Sequence, residues 1–563
     1  MTPCNFYGLM METSEHREAG NAIRIETKNN PYMQGSRHLA RDKNDDLRLA
    51  IMQTIDDVPV PHPDLKLTAG DVVCLAGDYY TKIGLGLKLK TPVITGDTKD
   101  EYNQLFCSEV EPKELKAFAE AYDDLASPDV TMAKIQKIYA YEAYPSLIQQ
   151  VIYTFLVKDY GEKLLNNEAH FSPWSTRAYI VGHNSALQYA KLARACHLLA
   201  ANTEANLAEL PQELITSLTA IKDKIKAQPL TYKFNEYQCN DDQALYTELG
   251  YRYHALAVAR DLFAMHFYSD HFAAGHLSRI GKLRQEMPAK FGTAGSILIN
   301  NMHNEDNSGS VKVINAYQPT NKGKPIPEDV FWIEPSTFPA FGDGTYDQAE
   351  NDANGNNLIN GMDASLSDIS EVIDTGLIPE QPNYGGFTFM PKVDCKMPQT
   401  GPLFIRGPNG EVYFRSDASR IRILSPSDYQ ATIQDPLNNR YKELTRFHAY
   451  LLVFKLRVIS VLSFGYFFSP KIEKPNAKEQ ASITADLLKV NAEILQQTAE
   501  TAPSSSALKQ ETQDIADISL GHWRDTAPSS DTKSHRFIGA EKASLCRGQE
   551  TELQTANNYQ GVY

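Results

Sequence analysis

Cysteine is scarce in this chain, and its placement removes two covalent scaffolds from consideration. The 563 residues hold seven cysteines, at 4, 74, 107, 196, 239, 395 and 546, and none forms a C-x-x-C pair. That excludes a dense disulfide framework and a cysteine-ligated zinc site. The N-terminus lacks a basic segment followed by a short apolar run, so no standard secretory signal is expected there. Positive charge is short as well: 55 Lys and Arg stand against 70 Asp and Glu, for a formal net charge of −15. Nucleic acid is held by clustered cations, so this balance weighs against it as a partner. What remains is 42% hydrophobic, 22% charged and 10% aromatic, which excludes a wholly disordered or fibrous chain. At roughly 150 residues per domain the length allows two to four units.

One segment, His448 to Phe468, is long and apolar enough to raise a transmembrane helix. Lys455 and Arg457 sit near its middle, where each costs about 2.5–3.5 kcal/mol on insertion. Asp435-Pro436 reads as its cap and first helical position. The expectation is therefore a long helix packed into a soluble core, with no transmembrane segment.

Residues 1–300 read as mainly helical, with apolar residues at three- and four-residue spacing in Glu114 to Ala126, Tyr139 to Tyr160, Tyr179 to Ala201 and Ala244 to Arg284. Between about Gly309 and Gly410, Gly, Pro, Asn and Asp rise, with a short helix expected at Asn357 to Asp374. The run GPLFIRGPNGEVYFRS alternates around Pro408-Asn409-Gly410 and reads as a hairpin. Residues 471–563 hold only four aromatics (Trp523, Phe537, Tyr559 and Tyr563) against 51 before them, so this polar tail buries little. The expected organisation is 1–350, helical; 351–470, a smaller mixed α/β region ending in a long helix; and 471–563, a low-complexity, flexible tail.

Histidine is distributed unevenly: eight of fourteen lie between His170 and His303. In AMHFYSDHFAAGH, His266 and Asp270 are four apart and share one helix face, a spacing that can hold one metal ion. His276 follows where Ala273-Ala274-Gly275 can bend the chain. The alternative is a helix with a few surface or core-capping histidines. NNEAHF places His170 just before a helix, and LAGDYY places Asp78 after an apolar run. MHNEDN gives His303 three oxygen-bearing neighbours, and SEHREAGNAI puts His16 on an amphipathic helix. Asp78 could equally be a turn residue, and His16 a solvated position.

Taken in order, these pieces resemble the bacterial zinc-dependent phospholipase C family, whose members include the clostridial alpha-toxin type and a Legionella–Pseudomonas branch. That family's signature is an N-terminal His, a small-residue-Asp-Tyr turn, a Ser/Ala-His-Phe, a His-x3-Asp-x5-His and a later His-x3-Glu. The likeness covers about residues 10–350, and MHNEDNSG followed by FGDG is more similar to the Legionella–Pseudomonas branch. It implies a helical catalytic domain of the zinc-phospholipase C/nuclease kind with two to three zinc ions. His170, His266 and Asp270 would hold one ion, and His276, His303 and a following acid a second. His16 would hold a third, bridged by Asp270. Asp78 would be the general base or would position the attacking water. Clustered zinc ions acidify water, neutralise phosphodiester oxygens and stabilise the leaving alkoxide. The implied reaction releases diacylglycerol and a phosphorylated head group from glycerophospholipids such as phosphatidylcholine. The implied partner is a phospholipid membrane surface, with no obligate protein partner.

The chain departs from the pattern in three places. The acid position of His-x3-Glu is Asn307, so Asp306, or else Glu305, must substitute. No tryptophan precedes His16, leaving a free N-terminal amine or Glu12 as its companion. The gaps on either side of His170 imply an insertion around Lys88–Pro145. Other candidates carry two readings. His271 points roughly 100° away from Asp270 and reads as structural or supporting. His183 and His254 read as hydrogen-bonded core residues. Asp343 reads as a turn or supporting acid, and Phe331, Trp332 and Tyr346 as lipid contacts or ordinary packing. Rival functions are a zinc nuclease of the same fold, disfavoured by charge, and a non-catalytic binding protein. The polar tail suits a C-terminal signal for secretion, including delivery into a host cell by a non-Sec, type IV-like route. Truncation at Pro470 that left export intact would refute that expectation.

Overall fold

The computed structural model describes residues 13–24, 36–81, 106–141, 168–277, 279–281, 283–315, 337–342, 345–346, 348–459, 462 and 470–501, with backbone alone at Thr13, Asp78, Tyr141, Ala205 and 494–501. The chain divides into two compact units, Met1–Leu487 and Leu488–Tyr563. Described residues of the second unit are helical, as the end of Ala477–Thr501, with Lys489 and Glu493 paired at 3.8 Å. The first unit is mainly helical with small sheets.

Helix α1 (Thr13–Asn21) lies against α2 (Ala69–Leu75) so closely that a Cβ on Gly20 would fall 2.6 Å from the Gly70 Cα. A capping box of Thr68 and Asp71 starts α2, which runs on into a π-helical turn, Ala76–Tyr80. Between α1 and α2 the chain forms an antiparallel sheet, β1 (Leu39–Arg41), β2 (Leu47–Ile55) and β3 (Val58–Thr68), in that order. This sheet modifies the helical expectation for residues 1–300. Its signals were present: alternating Leu47, Leu49 and Ile51, then Asp56-Asp57 with φ of 50° and 70°, which suits a tight hairpin turn.

Helix α3 (Pro112–Leu125) opens with Pro at its start and a Glu111–Glu114 capping box. Helices α4 (Trp174–Ala201) and α5 (Asp242–Asp270) pack together at the centre, and α5 is buried on every face from Arg252 to Asp270, its polar side chains included. The helix expected through Arg284 instead ends at Asp270. It gives way to a 3-10 turn, Ala274–His276, and then to α6 (Leu283–Phe291) and α7 (Thr293–Gly309). A small sheet follows, with β4 (Val311–Ile314) between β5 (Thr337–Ala340) and β6 (Lys392–Val393). Helix α8 (Asp352–Thr375) adds Leu358, Met362, Leu366 and Ile369 to the main core and closes at Gly376, φ 78°. In the expected hairpin, β7 (Phe404–Arg406) pairs antiparallel with β8 (Val412–Arg415), and β9 (Tyr441–Glu443) extends it. The part of Tyr139 to Tyr160 beyond residue 141 lies outside the described residues.

The segment from His448 differs from expectation. Asp435 ends the helix Pro426–Gln434, and Pro436 leads into a 3-10 turn. The actual cap is Thr445, whose hydroxyl accepts the His448 amide at the start of α9 (Arg446–Val453). A π-helical stretch, Phe454–Ile459, continues it, and only one face of the pair is buried. No helix among the described residues is long and apolar enough to cross a membrane.

Where α4, α5 and α8 meet, a charged histidine is fully enclosed. His183 Nδ1 lies 2.7 Å from Asp261 and Nε2 lies 3.1 Å from Asp368, while Ser365 donates to Asp261 and Tyr179 donates to Ser365. Ser365 is 1% exposed and gives its proton to Asp261, so the group is an enclosed hydrogen-bond network with no face open to a substrate. Burial disfavours the imidazolium, yet Asp261 and Asp368 outweigh that and raise it to about 9. The folded value exceeds the unfolded 6.5, so the stabilisation is complete below pH 6.5 and lost as pH rises through about 9. It amounts to about 3 kcal/mol at most. Urea midpoints should therefore fall between pH 6.5 and 9.5 in the wild type and much less in His183→Gln. Equal slopes for the two proteins would refute this assignment.

Candidate metal centre

Helix periodicity sets His266 and Asp270 on one face of the last turn of α5. The chain then leaves the helix, and the 3-10 turn brings His276 back toward Asp270. His170 enters from the turn Glu168–His170 ahead of α4, and His16 from α1. All five side chains are buried. Asp270 is the hub. Its Oδ2 lies 2.7 Å from His170 Nδ1 and 3.4 Å from His266 Nε2. Its Oδ1 lies 3.6 Å from His16 Nε2 and 3.4 Å from His276 Nδ1.

The surrounding hydrogen bonds dictate three of the tautomers. His266 Nδ1 donates to the Val73 carbonyl at 3.0 Å, and His276 Nδ1 donates to the His170 carbonyl at 3.0 Å. Ser269 Oγ donates to the His266 carbonyl at 2.8 Å, so it accepts from His16 Nδ1, also at 2.8 Å. Each imidazole thus spends its proton on Nδ1 and keeps a lone pair on Nε2, the form that binds a metal. His16 Nε2, His276 Nε2 and Asp270 Oδ1 are buried without a hydrogen-bond partner. Three orphaned acceptors in one buried site are costly unless a cation fills them.

Electrostatics agree with that reading. Burial lowers His16 to about 4 and His303 to about 3, and drives His266 well below the usual imidazole range. Burial alone would raise Asp270, but His266, His170 and His276 together hold it well below the carboxylate range. The Asp270 carboxylate therefore faces imidazoles of which His16 and His266 are held neutral by burial, a donor set that suits a divalent ion. The ligand atoms of His16, His266 and Asp270 lie within 4.8 Å of one another, so this buried group could bind a metal ion.

The remaining predicted residues are placed differently. His303 adjoins the cluster, its ring 5.0 Å from that of His276, with Nδ1 against Asn304 and Nε2 facing the Asn307 amide. Asn307, four residues after His303, also accepts the Gly275 amide and so ties the His276 turn to α7. Neither acid after His303 makes a described contact with the histidines. Asp306 pairs with Arg279 at 3.1 Å, and burial raises it to about 7 against that cation. Glu305 takes a two-pronged bond from Arg415, at 2.7 and 3.0 Å. The Asp78 side chain lies outside the described residues, as do Glu12, Phe331, Trp332 and Asp343. His271 sits with Nε2 against the Pro391 carbonyl at 2.8 Å and Nδ1 against the Ser175 hydroxyl at 3.3 Å.

Sequence reasoning missed Ser269, Gly77 and Phe171. Gly77 carried a signal as the small residue before Asp78: a Cβ there would fall 1.7 Å from His266 Nε2. Phe171 stacks on His276 at 4.6 Å, and Arg284 lies over the same ring at 5.5 Å, which sets a cation one ring away from the cluster. No family model, curated protein or solved structure matches this chain.

Proposed function

We propose that this protein is a zinc-dependent phospholipase C that cleaves the glycerol-side phosphodiester of glycerophospholipids such as phosphatidylcholine. The observation that carries the reading is the set of buried lone-pair atoms without partners, His16 Nε2, His276 Nε2 and Oδ1 of the ionised Asp270. The ordered likeness of His16, Asp78, His170, His266, Asp270, His276 and His303 to the family supplies the substrate class. Zinc bound here would supply Lewis acidity toward a phosphodiester and its attacking water. His16, His266 and Asp270 would hold one ion, with His170 and His276 completing the donor set or serving a second. Val73, Ser269 and the His170 carbonyl keep the imidazoles in the ligating tautomer. Asp78 would orient the water or take its proton, and Arg284 would favour an anionic substrate nearby.

The test is diacylglycerol release from mixed phospholipids, with metal content measured on the same sample. The expected result is one to three zincs per chain, and activity lost to a chelator and restored by zinc. Asp78→Asn should keep its zinc and lose turnover. Zinc-loaded protein that releases no diacylglycerol would overturn the phospholipase reading, and protein that binds no divalent ion would overturn the metal reading.

A further inference from the structure

We infer that the outward face of the helix beginning at Arg446 docks the protein on an anionic phospholipid bilayer. The helix has two apolar faces. Ala449, Leu452 and Leu456 point inward and join the cluster that also holds Phe171, the ring stacked on His276. The opposite face carries Phe447, Tyr450, Phe454 and Val458, exposed by 73%, 64%, 51% and 40%. Their three- and four-residue spacing makes one continuous stripe. Large apolar side chains scattered singly on a surface need no explanation, but a contiguous row of them does. The inner face is already filled, so packing into this unit's core does not account for the outer one.

Charge selects the occupant. From Glu443 to Glu473 the chain has no Asp or Glu between the two ends, while Arg446, Lys455, Arg457 and Lys471 fall inside. This is a cationic stretch in a chain of net charge −15. Arg446 is exposed at the head of the stripe. Arg457 reaches back to Asn300 at 2.6 Å, holding the helix to α7 while the aromatics face out. A second copy of the same face would set like charges against each other. A bilayer with anionic head groups receives both the apolar stripe and the cations, with aromatics at the depth where interfacial helices settle. The inference adds a docking surface to the phospholipase reading and rests on that reading for its purpose, but the binding itself needs no metal.

The experiment is co-sedimentation of the full chain with vesicles of phosphatidylcholine, alone or with about one third phosphatidylserine. Wild type should bind the anionic vesicles, less so at high salt, and chelator-treated protein should bind equally well. Combined Phe447→Ser, Tyr450→Ser and Phe454→Ser should weaken partitioning by about tenfold or more, with an unchanged melting curve. The same variant should still cleave a short-chain phospholipid below its micellar concentration. No vesicle binding by wild type, or equal binding by the triple variant, would overturn the proposal. So would a dimer in sedimentation velocity that the triple variant dissolves without loss of vesicle binding. Vesicle binding without diacylglycerol release would sink the enzyme reading and leave the docking surface standing.

Discussion

Asp270→Asn should abolish zinc retention and lower diacylglycerol release by about three orders of magnitude. Asparagine keeps the shape of the side chain and removes the one charge that four imidazoles share. It also turns an acceptor oxygen into a donor amide that can face the His16 Nε2 lone pair, an atom without a hydrogen-bond partner in the metal-free protein. The variant should therefore melt no lower than chelated wild type. It should lack the zinc-dependent rise, which for wild type at a thousandfold excess over Kd is about 4 kcal/mol. Metal content and melting curves with and without chelator check both halves. If the cluster were a metal-free structural network, the chelator would do nothing and Asp270→Asn would be strongly destabilising.

Gly77→Ala should damage the centre without altering any ligand. Its Cβ would lie 1.7 Å from His266 Nε2 and 1.9 Å from Cδ2. His266 cannot swing aside freely, because Nδ1 is held by the Val73 carbonyl and the ring stands edge-on to Phe267. Either the turn Ala76–Tyr80 or the imidazole must move, at a cost of about 1–3 kcal/mol or more. Movement of the imidazole takes Nε2 out of the donor set, so zinc affinity should drop by at least about 10–100-fold. Gly355→Ala is the comparison, since a Cβ there meets only Tyr346 at 3.5 Å. It should leave zinc unchanged and, being inside a helix, add about 0.5–1 kcal/mol of stability. Equal zinc affinity in both variants would show that the Gly77 turn does not press on the site.

The site was legible where local geometry suffices. His266 and Asp270 could be paired because a helix puts residues four apart on one face, and the small residues before His276 announced the bend. The acid after His303 was not legible. Glu305 and Asp306 are adjacent in sequence and chemically alike, and their roles are set by Arg415 and Arg279 on other elements. Ser269 and the Val73 and His170 carbonyls fix the tautomers, yet a backbone carbonyl has no sequence signature. The α9 helix shows the same limit. The apolar character of Arg446 to Ile459 and its two cations, Lys455 and Arg457, were plain, but a stretch apolar on both faces does not say which one meets the core.

The sequence by itself determined the composition limits, the helices α3, α4, α5 and α8, the β7–β8 hairpin and the concentration of histidine around one helix end. These follow from short-range rules, namely residue period, turn chemistry and capping, which act within a few positions along the chain. Only the tertiary structure decided which nitrogens are left without partners, which carboxylates are taken by arginine and which face of α9 meets water. Each of those outcomes depends on groups brought together from distant segments, such as His16 with Ser269 and Glu305 with Arg415. Burial then makes the pairing matter, because a polar atom removed from water must find a partner or an ion.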